Sequence, residues 1–347
     1  MTMILKKAFI ATLAMLATFG SGAQKLTRNV GTVPDSYNFW LYTPASEASE
    51  TATVAVDTPA GETTAKTAGN TAGNTAGNTD AADSHKDIND DNTAGQAVSQ
   101  KKPVFIFLHG ASLCGRNLDR VRRYGTIDAI EKGRKIDGYV IAPQNPGGAW
   151  NPRKVIKILD WLEDNHQVDK DRVYVLGMSL GGYGTIDVAA TYPDRIAAAM
   201  ALCGGGTVKN LDNLNNLPLW IIHGTGDRAV SVKESDKVVA AMQKALGGEA
   251  PRLVYDRIPG MNHSQPARMF YMPESYDWLL SHSLSDETRS VSDTFEVTLA
   301  SLRKAYQGLT RGKSGAGHSA SKGRARATKS KARAARQKAR KTRSRKK

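Results

Sequence analysis

Cysteine is nearly missing: Cys114 and Cys203 are the only two in 347 residues. That excludes a disulfide-stapled scaffold. The sequence puts both near the ends of neighbouring strands and favours two buried free thiols. Long apolar runs are also scarce. The one run near the N-terminus, Ala8 to Phe19, is shorter than the roughly 20 residues a membrane-crossing helix needs. Acidic residues are missing from the last stretch, where 311–347 hold sixteen Lys or Arg and no Asp or Glu. Subtracting those sixteen cations from the net charge of +15 leaves the other 310 residues at −1. The strong basicity therefore belongs to a tail. That tail carries no aromatic residue and no base-reading motif, which argues against specific nucleic-acid recognition.

The opening "MTMILKKAFIATLAMLATFGSGAQ" sets Lys6 and Lys7 before the apolar run and ends in small residues. This is the layout of a secretory signal peptide over 1–23, cleaved after Ala23, so the mature chain is expected to be exported, periplasmic or secreted, with no transmembrane segment. "YNFWLYTP" (37–44) alternates like a strand and stops at proline. From 45 to 102 apolar clusters vanish and "TAGN" recurs three times. Such low-complexity polar sequence cannot bury enough to order itself. It reads as an insertion between two strands expected to be antiparallel neighbours, since a long loop adds little closure entropy.

From 103 to 290 short, nearly all-apolar strands alternate with amphipathic helices. The strands are expected at 104–108, 139–142, 173–176, 198–202, 219–222 and 253–258. A helix is expected over 153–166, with Val155, Ile158, Leu159 and Leu162 on one face. This pattern predicts an α/β architecture, a mostly parallel sheet with helices on both faces. Residues 24–44 and 103–290 form the domain. One more helix is expected within 291–310, and 311–347 read as a basic tail without fixed structure.

"VLGMSLGGYGT" (175–185) sets Gly177-Met178-Ser179-Leu180-Gly181 between a strand and a helix. A serine on a sharp strand-to-helix turn needs small neighbours, and its hydroxyl then points into the cleft. It also needs a base, and the base needs an orienter. "LWIIHGTGDRAV" supplies Asp227 after one strand and "IPGMNHS" supplies His263 after the next. The bland alternatives are a helix cap for Asp227 and a turn residue for His263. Backbone N–H donors for an oxyanion are expected from Leu180 and from Ala111 in the loop after "FIFLHG". His109 and His223 read as structural, while Trp150 and Tyr183 are candidates for lining a substrate pocket.

"FLHGASLCGRN", "GMSLGGYGT", "IIHGTGDRAV" and "GMNHS" together resemble the α/β-hydrolase family. The likeness is to its carboxylesterase-like, feruloyl-esterase-like and dienelactone-hydrolase-like branch, which also includes predicted peptidases. The resemblance implies an eight-stranded sheet, Ser179 as nucleophile, His263 as base, Asp227 as its orienter, Ala111 and Leu180 as oxyanion donors, and no cofactor or metal. Little sequence between 198 and 219 remains for a large cap domain. The expected substrate is a small-molecule or polymer-linked ester. Peptide cleavage by the same residues, or an idle domain whose tail binds polyanions, are the competing readings. The tail itself reads as a tether to an anionic cell surface or acidic polymer.

Overall fold

The computed structural model describes residues 25–45, 101–291 and 295–310. The leader, most of the insertion and the basic tail lie outside the described residues. Eight strands run in chain order: β1 (Lys25–Asn29), β2 (Phe39–Thr43), β3 (Lys102–Leu108), β4 (Tyr139–Pro143), β5 (Val168–Met178), β6 (Ala198–Leu202), β7 (Leu219–Gly224) and β8 (Leu253–Ile258). They form one sheet in the order β1-β2-β4-β3-β5-β6-β7-β8. β1 and β2 are antiparallel to their neighbours; the other pairs are parallel. This is the α/β-hydrolase arrangement expected from the sequence.

Four helices of two turns or more pack on it: α2 (Pro152–Asn165), α3 (Leu180–Thr191), α4 (Lys233–Leu246) and α5 (Pro273–Leu280); the shorter α1 (Thr126–Glu131) and α6 (Leu299–Arg303) complete the set among the described residues. Strand periodicity sorts the core into two layers. Phe105 and Phe107 join Trp220, Trp278 and Leu279 on one face. Val104 and Ile106 face Val155, Ile158, Leu159 and Leu162 of α2 on the other. No helix among the described residues is long and apolar enough to cross a membrane.

Two expectations are corrected and a third is narrowed. β2 is not the neighbour of β3: β4 lies between them, with Tyr42 opposite Val140 and Val140 beside Phe105. Consecutive strands pair reliably only across a tight turn, and β3 is buried on both faces between parallel partners. Gly138 allows this insertion, since a Cβ there would sit 2.7 Å from the Pro103 carbonyl oxygen. The helix expected within 291–310 shrinks to α6. It opens on a capping box between Thr298 and Ser301 and is followed by turns, with Gly308 at φ +76°. The cysteines are both free, but only Cys203 is fully buried, and β5 separates the two strands that lead to them.

Candidate active site

The turn between β5 and α3 is tight because three chains meet at it. Ser179 has φ +58° and ψ −121°, a conformation that costs an L-residue roughly 1–3 kcal/mol. Its N–H donates to the Leu202 carbonyl (2.8 Å) and its carbonyl accepts from the Tyr183 N–H (3.0 Å). A Cβ on Gly181 would lie 1.8 Å from the Leu108 carbonyl oxygen, and one on Gly177 would lie 2.4 Å from that of Gly181. The glycines are therefore required by the ends of β3 and β5, and Ser179 is left facing the cleft.

Asp227 and His263 arrive on the loops after β7 and β8. These loops touch through backbone: the Gly226 N–H donates to the Met261 carbonyl (3.1 Å), and a Cβ on Gly224 would collide with that oxygen at 2.0 Å. Asp227 Oδ1 accepts from the N–H groups of Ala229 (2.8 Å) and Val230 (2.9 Å). Its Oδ2 lies 2.6 Å from His263 Nδ1, and His263 Nε2 lies 3.0 Å from Ser179 Oγ. Burial pushes the Asp227 carboxyl up, but the Val230 N–H, His263 and the Ala229 N–H together hold it below the ordinary carboxylate value. An ionised Asp227 thus orients the imidazole with Nε2 toward the serine. Three side chains from distant parts of the sequence form one hydrogen-bonded row.

Beside Ser179, the N–H groups of Ala111 and Leu180 have no hydrogen-bond partner among the described residues. The Gly110 N–H is taken by the Tyr124 hydroxyl (2.7 Å). His109 behind this loop is structural, as expected. Its Nε2 accepts from the Asn145 N–H (3.0 Å), its Nδ1 lies 2.8 Å from the Gly110 carbonyl, and burial pushes its pKa down to about 4.

The cleft, about 630 Å³, is bounded by Ser179, His263, Ala111, Leu180 and Tyr183. Tyr183 lines the cleft beside Ser179. Trp150 does not, and this is a correction: it is buried, its Nε1–H donates to the His109 carbonyl (3.2 Å), and its ring fills the space that Gly184 leaves open. It supports the loop from behind and touches no substrate space. Tyr124, Met178, Val230 and Ala267 also line the cleft. No local motif marks them, because the fold alone brings them there. Cys203, His223 and Asp227 bring potential metal-ligand atoms within 4.8 Å of one another, and in this arrangement those atoms serve hydrogen bonds around the carboxylate.

A model of the prolyl oligopeptidase family matches residues 144–213. Acetylxylan esterase A of Emericella nidulans is 28% identical over 107 residues, 30% of this chain and 35% of that protein. Poly(3-hydroxyalkanoate) depolymerase C of Paucimonas lemoignei is 45% identical over 49 residues, 14% of this chain and 12% of that protein. Among solved structures, a thermostable esterase shares 26% identity at a TM-score of 0.44, covering 53% of this chain and 56% of its own. The chain thus spans from about an eighth to about a third of the length of these two curated relatives.

Proposed function

We propose that this chain, an α/β-hydrolase of the esterase-like kind, is an exported serine esterase that works through an acyl-enzyme. The observation that carries the reading is the row Ser179, His263, Asp227 lying beside two unclaimed N–H donors. His263 Nε2 takes the Ser179 hydroxyl proton as Oγ attacks the ester carbonyl carbon. The carbonyl π pair moves onto oxygen, and the N–H groups of Ala111 and Leu180 receive the resulting oxyanion. As the intermediate collapses, the C–O bond to the alcohol breaks and His263 returns the proton to the leaving oxygen. A water molecule, deprotonated by the same imidazole, then attacks the acyl-Ser179 carbonyl; the C–Oγ bond breaks, His263 returns the proton to Ser179 Oγ, and the acid leaves. Asp227 stays ionised throughout and stabilises the imidazolium. The apolar cleft walls suit an uncharged acyl group, while the match to the prolyl oligopeptidase model favours peptide bonds as a second substrate class for the same machinery.

The test is labelling by a fluorophosphonate, together with a panel of p-nitrophenyl esters of graded acyl length, feruloyl esters and dipeptides. The expected outcome is stoichiometric labelling that Ser179→Ala abolishes, and ester turnover that falls by at least about 10⁴-fold in that variant. A folded wild type that neither labels nor turns over any ester would sink the reading in favour of a binding role. Export rests on the leader segment and is tested by N-terminal sequencing of protein recovered outside the cytoplasm, which should begin at Gln24. The basic tail is proposed as a tether to an anionic surface or acidic polymer, so its removal should abolish salt-sensitive binding and spare turnover.

A further inference from the structure

The hydrogen bonds do not stop at Asp227. His223, near the end of β7, has a fully buried ring. Its Nε2 lies 3.1 Å from the Val230 carbonyl oxygen and 3.3 Å from Asp227 Oδ2. Both neighbours accept and neither donates, so this nitrogen must carry a proton. The other ring nitrogen, Nδ1, lies 2.8 Å from Ser235 Oγ, and that hydroxyl also reaches the Gly204 carbonyl at 2.7 Å. Ser235 is itself fully buried, in the first turn of α4. Gly204 in turn abuts the helix that opens at the nucleophile, since a Cβ there would lie 2.4 Å from the Gly182 carbonyl carbon.

We propose that His223 is a positioning residue for the reaction: its Nε2–H steadies the Asp227 carboxylate beside His263, and Ser235 holds the opposite edge of the ring. The inference rests on the reading of Ser179, His263 and Asp227 as a triad. Asp227 Oδ1 is fixed by two backbone N–H groups, whereas Oδ2 faces His263, with the Cys203 thiol as a further but weak donor to the carboxylate. When His263 becomes a cation, its attraction to Oδ2 sharpens, and an unheld carboxylate would draw the imidazole away from Ser179. A second N–H on the same oxygen opposes that movement. The Ser235 link to Gly204 ties the acid's loop to the backbone behind α3, so the two ends of the triad keep one spacing.

The charged and titratable groups facing the ring are Asp227 and His263 on the loops after β7 and β8, the Cys203 thiol after β6, and Asp236 beside Ser235 on α4. Burial and Asp227 push the Cys203 thiol far up, so it contributes no charge at neutral pH. Burial pushes His223 itself down, against the opposing pull of the Val230 carbonyl and Asp227. In the neutral ring the proton sits on Nε2, whose two neighbours both accept, and the single Ser235 hydroxyl proton goes to either Nδ1 or the Gly204 carbonyl at one time.

The experiment compares wild type with His223→Phe, His223→Gln and Ser235→Ala, measuring melting temperature and kcat and KM on p-nitrophenyl acetate from about pH 5 to about pH 9. In His223→Phe, kcat should fall about 10- to 100-fold with KM within about twofold. The acid limb of its profile should move to higher pH, because Asp227 then acts on His263 alone. His223→Gln, which keeps an N–H, should recover part of the loss, and Ser235→Ala should show a smaller fall of the same kind. An unchanged kcat and pH profile in folded His223→Phe overturns the inference. So does a loss that tracks melting temperature with KM rising in step, since that marks packing alone. If His223→Phe does not fold, the other two variants decide by the same criteria. Fluorophosphonate labelling separates the failures: an unlabelled wild type overturns the triad and this inference with it, whereas a labelled wild type with indifferent variants overturns only the role of His223.

Discussion

Ser179 could be found in the sequence because its surroundings leave so little choice. Gly177, Gly181 and Gly182 each sit where a Cβ would strike backbone oxygen, of Gly181, Leu108 and Leu202 respectively. A glycine cluster forced by close packing is visible as a string of letters. Asp227 and His263 were legible for another reason: each follows a readable apolar strand, and the chain order Ser, Asp, His matches the geometry. Trp150 misled because a tryptophan in a glycine-rich loop gives no sign of which way it faces, and only the fold shows it set edge-to-face behind His109, with ring centroids 5.0 Å apart. Three predictions belong at this scale. Gly181→Ala should lower stability by about 3 kcal/mol or reduce the yield of folded protein, since the clash involves backbone that cannot step aside. Gly248→Ala, with nothing within 4 Å of the new Cβ, should stay within about 0.5 kcal/mol of wild type when both variants are unfolded in urea. Asp227→Asn should retain the fold and lose about 10⁴-fold in kcat, because an amide no longer dictates the imidazole tautomer.

Strands came through more faithfully than connections. The all-apolar runs of β3, β4, β6 and β7 are buried on both faces and declare themselves. β1 escaped notice because "KLTRN" is a half-exposed edge strand whose partner, β2, is what makes it one. The pairing of β2 with β4 was hidden because it depends on how the β3 to β4 crossover packs, which no local letter records. The C-terminal arm teaches the same lesson. Its apolar residues Val297, Leu302 and Ala305 are buried and Phe295 packs against Trp220 with centroids 5.5 Å apart, yet the helical spacing is honoured for only five residues. The arm is held by tertiary burial more than by its own helix propensity. Leu302→Ala, at a site with no exposure, should therefore cost about 2–4 kcal/mol in urea unfolding. Activity at neutral pH should be unchanged, because the arm lines no part of the cleft. A loss of kcat in that variant while it is fully folded would mean the arm reaches the site.

Two properties belong to the molecule as a whole, its response to acid and its tolerance of a long insertion. Burial pushes both His109 and His282 down to about 4, against an ordinary value near 6.5. The unfolded chain therefore binds more protons than the folded one between those limits, and stability must fall as pH drops through that window. Each ring can withdraw up to about 3 kcal/mol, so the urea midpoint should decline steeply between pH ~6.5 and ~4, and His282→Gln should flatten part of that slope. The insertion poses a question of geometry. Tyr42, Val140 and Phe105 lie in one row across the sheet, and both described ends, Ala45 and Lys101, lie beyond that row on the side where the parallel strands begin. Ser179, Asp227 and His263 all follow the opposite, carboxyl ends of their strands. Two strand spacings separate the attachment points, roughly 10 Å, with a small offset along the strands. A linker of about six Gly/Ser residues spans that distance. Replacing 46–100 with such a linker should thus leave kcat/KM for a small soluble ester within about twofold, as expected when neither the sheet nor the cleft depends on what is removed. A folded deletion variant that lost more than about tenfold would show that the insertion reaches around the sheet to the catalytic edge.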